Sequence, residues 1–180
     1  MNRLLFLTGQ PGVGKTSVLL HVVDVLKAKA YDVRGMISRE IREQGTRVGF
    51  EIIDLHTGQK GWLAHVRQSS GPQVGKYRVN LDDLKSIGVS SIIDAMKNAD
   101  VIVVDEIGPM ELFSQAFKDA VLKAVNSTKP LLGTIHFKAQ NPLINAIKTR
   151  DDAEILEITI ENRENMHNLI INKILKNLQR

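Results

Sequence analysis

The amino-acid sequence predicts an α/β fold, in which a mostly parallel β-sheet is covered by helices on both faces. Short apolar runs typical of buried strands alternate along the chain with longer segments whose apolar residues recur at helical spacing. The composition is that of an ordinary globular protein, with 43% hydrophobic and 24% charged residues. A chain of 180 residues can bury one hydrophobic core. We therefore expect a single domain over residues 1–180.

Several classes of protein are excluded by composition. No apolar run approaches the roughly 20 residues that a membrane-spanning helix needs. The apolar stretch near the N-terminus is too short for a signal peptide, because glycines follow it directly. The chain has no cysteine, which excludes disulfides and thiol catalysis. A cytoplasmic protein without a membrane partner is expected, and its oligomeric state is left open.

The first part of the chain predicts a strand, a helix and a second strand. Their bounds are Leu4–Leu7, Thr16–Ala30 and Val33–Ser38. The helix is indicated by Leu19, Val22 and Leu26, which share one face.

Residues 47–80 predict an insert of antiparallel hairpins. Val48, Phe50 and Ile52 alternate with polar residues, and Thr57-Gly58 marks a turn. This insert interrupts the otherwise regular alternation of strands and helices.

The second half of the chain returns to that alternation. The predicted strands are Asp100–Asp105, Pro130–His136 and Ile155–Ile160. The predicted helices are Leu81–Lys97, interrupted near Gly88, and Ser114–Val125, Pro142–Lys148 and Asn162–Leu178.

Basic residues are concentrated in the insert and the strand before it. They are Arg34, Arg39, Arg42, Arg47, Lys60, Arg67, Lys76 and Arg78. Such a cluster indicates either an anionic partner, such as nucleotide phosphates or nucleic acid, or a solvated hairpin face of alternating charge.

A glycine-rich loop follows the first predicted strand and opens the first predicted helix. It satisfies the phosphate-binding pattern G-x-x-x-x-G-K-[ST], the Walker A motif. Glycines let the backbone aim successive N–H groups at phosphate oxygens, and the helix N-terminus adds partial positive charge. Lys15 is predicted to reach the β- and γ-phosphates, and the Thr16 hydroxyl to ligate Mg²⁺. The predicted nucleotide-binding residues are Gly9, Gln10, Pro11, Gly12, Val13, Gly14, Lys15, Thr16 and Ser17.

An apolar strand ends in two carboxylates, Asp105 and Glu106. In proteins with this loop, such a strand end is the Walker B position, where an aspartate holds Mg²⁺. Asp105 is predicted to hold the metal together with Thr16. Glu106 is predicted to be the catalytic base that acts on water near the γ-phosphate.

Other residues are candidates for contact with the γ-phosphate or the attacking water. Thr134 and His136 lie at the end of a predicted strand, where ligands of parallel sheets bind. Arg39 and Arg42 follow the second strand and could supply charge to the transferred phosphoryl group. Arg47, Arg150 and Arg163 are further candidates for the same role.

The chain resembles a small P-loop nucleoside-triphosphatase family, which includes thermophile proteins and is related to a human cancer-related nucleoside-triphosphatase. The stretches that carry the resemblance are Val104–Ser114, Arg47 with Gly49-Phe50, Val74-Gly75-Lys76-Tyr77 and Glu161-Asn162-Arg163. Pro109 and Glu164 depart from the residues common in that family. The resemblance implies a RecA-like three-layer sandwich and Mg²⁺-dependent hydrolysis of several nucleoside triphosphates.

We therefore predict a slow Mg²⁺-dependent nucleoside-triphosphatase that acts on ATP, GTP, CTP and UTP. Two alternatives remain open at the level of sequence. One is a nucleotide or nucleoside kinase, since its loop and core would look alike. The other is a nucleic-acid-associated ATPase that docks through the basic hairpins.

Overall fold

A computed structural model describes residues 2–179 of the chain. The strands are β1 (Leu4–Thr8), β2 (Val33–Glu43), β3 (Thr46–Asp54), β4 (Lys60–His65), β5 (Gln73–Val74), β6 (Tyr77–Val79), β7 (Val101–Ile107), β8 (Leu131–Ile135) and β9 (Ala153–Glu157). The helices are α1 (Lys15–Ala28), α2 (Leu81–Asp83), α3 (Ser90–Asn98), α4 (Gln115–Asn126), α5 (Pro142–Lys148) and α6 (Arg163–Leu178).

The strands form one sheet in the order β5-β6-β4-β3-β2-β7-β8-β1-β9. Strands β2, β7, β8, β1 and β9 pair in parallel, whereas β3, β4, β6 and β5 extend the sheet as antiparallel hairpins. Because the carboxyl ends of parallel strands lie at one edge, the loops after β1, β2, β7 and β8 meet there. The predicted α/β fold is confirmed, with a parallel part of the sheet and inserted antiparallel hairpins that account for half of the strand pairings.

Successive residues of the central strands enter two different cores, one on each face of the sheet. Leu4 and Phe6 of β1 pack in the core that includes Phe117 of α4, whereas Leu5 and Leu7 pack in the core that includes Leu19 of α1. This alternation follows from the two-residue repeat of a strand. Helices on both sides of the sheet give the three layers that the resemblance implies. Within residues 2–179, no helix has the length and apolar character required to span a bilayer.

Two predicted boundaries are wrong. Strand β2 continues past Ser38 to Glu43, so the hairpin insert begins inside this strand and not near residue 47. The alternating charged residues beyond Ser38 hid this continuation, because the strand leaves the core there and both its faces become polar. Strand β9 ends at Glu157, and residues 158–160 belong to the following loop. The interruption near Gly88 is confirmed as a π-helical segment, Leu84–Val89, that joins α2 to α3.

Gly35 of β2 has no room for a side chain, because the backbone of Val103 lies against it. Its φ is +136°, and a Cβ would overlap the Val103 carbonyl oxygen and lie 2.8 Å from the Val103 nitrogen. We expect Gly35→Ala to lower the free energy of unfolding by about 3 kcal/mol, measured by urea denaturation.

Gly45→Ala is the matched control, because Gly45 has a φ of +79° but open space around it. It should cost only about 1–2 kcal/mol, the penalty of the left-handed backbone alone. Equal losses in the two variants would contradict the steric argument.

Candidate functional site

The glycine-rich loop joins β1 to α1 at the edge where the parallel strands end. Gly9, Gly12 and Gly14 have φ values of +143°, +78° and +105°. A Cβ on Gly9 would overlap the carbonyl oxygen of Ile158, so this position requires glycine for space as well as conformation. Helix α1 begins at Lys15 with no side-chain cap, which leaves its first N–H groups available to an anionic ligand.

The Lys15 side chain folds back across this loop. Its Nζ donates to the carbonyl oxygens of Gly9 at 2.7 Å and Gln10 at 3.3 Å. The ammonium group is thereby held beside the carboxylates at the end of β7, where its charge opposes the rise in the pKa of Glu106.

Asp105 lies at the end of β7 and is only 2% exposed. Its Oδ1 accepts a hydrogen bond of 2.6 Å from Thr134 Oγ1, and its Oδ2 accepts one of 3.1 Å from Thr16 Oγ1. Burial raises the pKa of Asp105 to about 6, with a further contribution from the charge of Glu106, while the two hydroxyls act in the opposite direction. Three elements, α1, β7 and β8, therefore meet at this carboxylate.

Glu106 is half-buried and lines the same cavity as Lys15, Thr16 and Asp105. The Asp105–Glu106 peptide bond is cis. Burial raises the pKa of the Glu106 carboxyl above its ordinary value. A carboxylate of raised basicity beside a phosphate-binding loop can accept a proton from water.

Glu111 is a second buried carboxyl near Glu106, and no motif in the sequence assigns it a role. It is 3% exposed, and its Oε2 and the Oε1 of Glu106 both lie within 3.2 Å of where a Cβ on Gly108 would stand. Burial, followed by the charge of Glu106, raises the pKa of Glu111 well above its ordinary value. Its only signal in the sequence is its place within the run Val104–Ser114 that carries the family resemblance.

The raised pKa of Glu111 predicts that the difference in free energy of unfolding between a Glu111→Gln variant and the wild type grows with pH. Between the ordinary glutamate pKa of about 4.3 and the raised value, unfolding releases the Glu111 proton, so wild-type stability falls as pH rises. Glu111→Gln has no such proton to release. We therefore expect its free energy of unfolding to rise, relative to that of the wild type, by up to about 1.4 kcal/mol per pH unit between those two pKa values. Urea denaturation of both proteins at pH 5 and pH 7 measures the gain, and parallel pH profiles would contradict it.

The oxygen ligands at this site fit Mg²⁺. Thr16 and Asp105 offer one hydroxyl and one carboxylate. Mg²⁺ in nucleotide sites is usually held by one or two such groups, with phosphate oxygens and waters completing its shell. Residues 2–179 contain no cluster of three His, Asp or Glu side chains placed for a metal, so they form no closed protein-only metal site.

A cavity of about 610 Å³ adjoins these residues. Of the predicted nucleotide-binding residues, the cavity is lined by Pro11, Gly12, Gly14, Lys15, Thr16 and Ser17. Gln10 and Val13, together with Pro11 and Gly12, line a separate groove of about 280 Å³ against residues 157–161. The loop thus separates a groove on the β9 side from a larger cavity on the β2 side.

The two strand-end candidates for contact with the γ-phosphate or water, His136 and Thr134, lie in different places. His136 lines the cavity, and burial followed by the charges of Lys15 and Lys138 lowers its pKa. Thr134 is fully buried and donates to Asp105, so it lies behind the carboxylate and not at the cavity surface.

The candidate arginines also differ in whether they line the cavity. Arg39 lines the cavity and its Nε donates to Glu51 at 2.7 Å. Arg42 does not line it: its guanidinium binds Glu40 and the carbonyl of Gly45 at the hairpin turn, which corrects the expectation of a γ-phosphate contact. Arg163 lies on the other side of the loop, where its Nη1 donates to the Val13 carbonyl at 3.3 Å.

Many of the basic residues in and before the insert are paired with acidic ones. The ion pairs are Arg34 with Asp32 and Asp94, Arg39 with Glu51, Arg42 and Arg47 with Glu40, and Arg67 with Glu43. Tyr77 is buried, and Phe50 is half-buried with the Arg47 guanidinium over its ring. This arrangement matches a hairpin face of alternating charge, and nucleic-acid binding stays a prediction.

Comparison with known proteins identifies relatives over nearly the whole chain. A family model described as NTPase matches residues 4–171. The chain is 45% identical over 159 residues to the nucleoside-triphosphatase THEP1 of Thermofilum pendens, covering 88% of this chain and 87% of that protein. It is 43% identical over 175 residues to THEP1 of Methanocaldococcus jannaschii, covering 97% and 99%.

Solved structures agree with these relatives. The crystal structure of THEP1 from Aquifex aeolicus superposes with a TM-score of 0.83 at 29% identity, covering 95% of this chain and 98% of that one. The solution structure of a human cancer-related nucleoside triphosphatase gives 0.80 at 34% identity, covering 96% and 97%. The relatives match this chain along almost its full length, and they agree with its P-loop fold and with the glycine-rich loop that joins β1 to α1. The chain therefore belongs to the NTPase family of nucleoside-triphosphatases.

Proposed function

We propose that the protein is a Mg²⁺-dependent nucleoside-triphosphatase that slowly hydrolyses ATP, GTP, CTP and UTP to the diphosphate and inorganic phosphate. The observation that carries this proposal is the common cavity wall formed by Lys15, Thr16, Asp105 and Glu106. An ammonium group, a hydroxyl and two carboxylates thus line one cavity beside the glycine-rich loop, which supports phosphate binding, metal binding and activation of water there. The names of the relatives support the same chemistry.

The residues of the chain divide the work of hydrolysis. The loop amides and Lys15 bind the β- and γ-phosphates and neutralise charge that develops on the bridging oxygen. Thr16 and Asp105 would hold Mg²⁺, with Thr134 fixing the orientation of the Asp105 carboxylate through its 2.6 Å hydrogen bond. When bound, the metal ion supplies positive charge to the phosphate oxygens.

Glu106 acts on the attacking water. Because it stands on the γ-phosphate side of the loop and its pKa is raised by burial, it can orient the water and accept its proton.

Broad base specificity is supported by the groove on the β9 side of the loop. In this proposal the triphosphate lies along the glycine-rich loop and its nucleoside meets the groove formed by Gln10–Val13 and residues 157–161. Ile160 is an apolar side chain of this groove and is 69% exposed, whereas Val13 and Ile158 are buried. Apolar contact with the face of a base discriminates weakly among bases, because it involves no hydrogen bonds to the base edge.

Slow turnover is supported by the state of the arginines. The two arginines that line the cavity, Arg39 and Arg47, are tied to the hairpins by ion pairs with Glu51 and Glu40. Nucleotide hydrolysis without an arginine at the γ-phosphate proceeds on the order of 10⁻⁴ to 10⁻³ s⁻¹ in small GTPases.

Phosphate release from each of the four triphosphates, measured with Mg²⁺ and with excess EDTA, tests the proposal. We expect all four to be hydrolysed within about tenfold of one another, since apolar base contacts discriminate weakly. EDTA should abolish release. Strong preference for one base would contradict broad specificity, and nucleotide binding without phosphate release would contradict hydrolysis itself.

A further inference from the structure

Arg163, the first residue of α6, lies beside the glycine-rich loop and does not line the cavity. Its Nη1 donates to the Val13 carbonyl at 3.3 Å. Its Nη1 and Cδ also lie 3.7 and 3.8 Å from where a Cβ on Gly14 would stand. The side chain thus contacts the loop at the peptide that joins Val13 to Gly14, from a segment 150 residues away along the chain.

The peptide between Val13 and Gly14 crosses the loop from one side to the other. Val13 lines the groove on the β9 side, whereas Gly14 lines the cavity. This peptide bond is trans. Because the C=O and N–H groups of a trans peptide point in opposite directions, a carbonyl that faces Arg163 turns the Gly14 N–H towards the cavity.

The Gly14 N–H is free for a ligand. Among residues 2–179 it donates to no protein acceptor. The preceding N–H, that of Val13, is instead used within the loop, where it donates to the Gln10 carbonyl at 3.2 Å. The Gly14 N–H is therefore one of the donors that the loop can offer to phosphate oxygens, and its direction depends on the direction of the Val13 carbonyl.

A glycine at position 14 gives this peptide freedom to rotate. Rotation of a peptide plane changes the φ of the residue that follows it, and glycine adopts positive and negative φ about equally readily. Gly14 has a φ of +105° in this structure. In the rotated peptide the Val13 carbonyl would point into the cavity and repel the phosphates. A contact that holds this carbonyl outside the cavity therefore favours phosphate binding.

The turn between β9 and α6 fixes the position of Arg163. The Arg163 N–H donates to the Thr159 carbonyl at 3.0 Å. The Asn162 Oδ1 accepts from the Thr159 N–H at 2.8 Å, and the Asn162 N–H donates to Thr159 Oγ1 at 3.2 Å. The ion pair of Arg163 with the exposed Glu164 is long, 3.8 Å from Nε, so it does not draw the guanidinium away from the loop.

We propose that Arg163 is a positioning residue of the triphosphate site, which holds the Val13–Gly14 peptide so that the Gly14 N–H points at the phosphates. A charged donor on the Val13 carbonyl also polarises this peptide and makes its N–H a stronger donor. Arg163 acts through the loop and not by its own contact with the phosphates. The inference rests on the proposed triphosphate site, because that site supplies the anion.

The test compares two ligands, inorganic tripolyphosphate and a non-hydrolysable ATP analogue, by calorimetry with Mg²⁺. Arg163→Met keeps an unbranched side chain but removes the donor and the charge. We expect the Kd for both ligands to rise about tenfold, since both would meet a misdirected loop amide. A loss confined to the ATP analogue would show that Arg163 contacts the nucleoside, and it would contradict the positioning role.

The amide resonances of Gly14 report the orientation of the peptide directly. In the ligand-free protein they should move upfield in Arg163→Met, because the Val13 carbonyl has lost its charged partner. In phosphate release, kcat/KM for ATP should fall about tenfold while kcat changes less than about threefold, since the amide binds the phosphates in the ground state and the transition state alike. A role in stability alone would lower the Tm without these changes.

Further variants complete the test. Arg163→Lys restores a charged donor and should bring both Kd values within about threefold of the wild type. If Arg163→Met fails to fold, Arg163→Gln replaces it and should weaken binding of both ligands in the same way. Arg78→Met is the matched control, because Arg78 Nη1 donates to the Gly71 carbonyl at 3.0 Å in the hairpins and does not line the cavity. It should leave binding and turnover unchanged.

The outcomes separate this inference from the proposed hydrolysis. Wild-type affinity of Arg163→Met for tripolyphosphate would overturn the positioning role and leave the hydrolase intact. If the wild type releases no phosphate from ATP but Arg163→Met still weakens tripolyphosphate binding, the proposed hydrolysis is wrong and the positioning role stands. If the wild type binds neither ligand, both proposals are wrong.

Discussion

Replacing Glu106 by glutamine is expected to lower kcat for phosphate release about 10²- to 10⁴-fold, the usual contribution of a general base. Glutamine keeps the shape of the side chain and its contact with the cavity but cannot accept a proton from water. The Kd for a non-hydrolysable ATP analogue should change little, since in the proposed mechanism Glu106 acts on water and binds neither the phosphates nor the metal. Steady-state phosphate release and calorimetry measure the two quantities.

Glu43→Gln is the control for the change of charge. Glu43 is an exposed glutamate at the end of β2, where it binds Arg67 away from the cavity. This variant should keep the wild-type kcat. If Glu106→Gln also retained wild-type turnover, the base would have to be sought among the other titratable side chains of the cavity wall, such as His136 and Glu111.

Replacing Lys15 by alanine is expected to impair binding and chemistry together. The Lys15 ammonium group lies across the loop at hydrogen-bond distance from two of its carbonyls, so it is placed before the nucleotide arrives. Loss of one such preorganised donor to a transition state costs about 10²- to 10³-fold in rate, and kcat/KM should fall by at least that amount. The stabilisation of the protein by a non-hydrolysable ATP analogue, measured as a shift in Tm, should be largely lost.

Lys29→Ala is the matched control for Lys15→Ala. Lys29 is an exposed lysine at the C-terminal end of the same helix, far along its axis from the loop. It should leave kcat/KM and the Tm shift unchanged. A Lys15→Ala variant that still binds the analogue with wild-type affinity would contradict the assignment of the phosphates to this loop.

The two variants together separate the steps of the reaction. Glu106→Gln is expected to bind nucleotide without hydrolysing it. Lys15→Ala is expected to do neither efficiently.

The local patterns of the sequence predicted the fold class well. The glycine loop, the apolar strand before it and the helix after it lie within about 25 residues, so turn chemistry and periodicity are sufficient to identify them. The apolar run that ends in Asp105 is equally local. Where periodicity changed gradually, as beyond Ser38 in β2, the boundary was missed because a strand that leaves the core loses its alternation of apolar and polar residues.

The amino-acid sequence by itself determined the phosphate-binding loop, the acidic strand end and the alternation of strands and helices, because each is encoded by neighbours along the chain. Only the tertiary structure decided that Thr134 and Thr16 both bind Asp105, that Arg39 reaches the cavity while Arg42 does not, and that Glu111 lies beneath Gly108. These contacts depend on the strand order β2-β7-β8-β1-β9, which brings distant segments together at one edge of the sheet. The physical reason is that strand order is set by packing between segments, and no spacing along the chain records it.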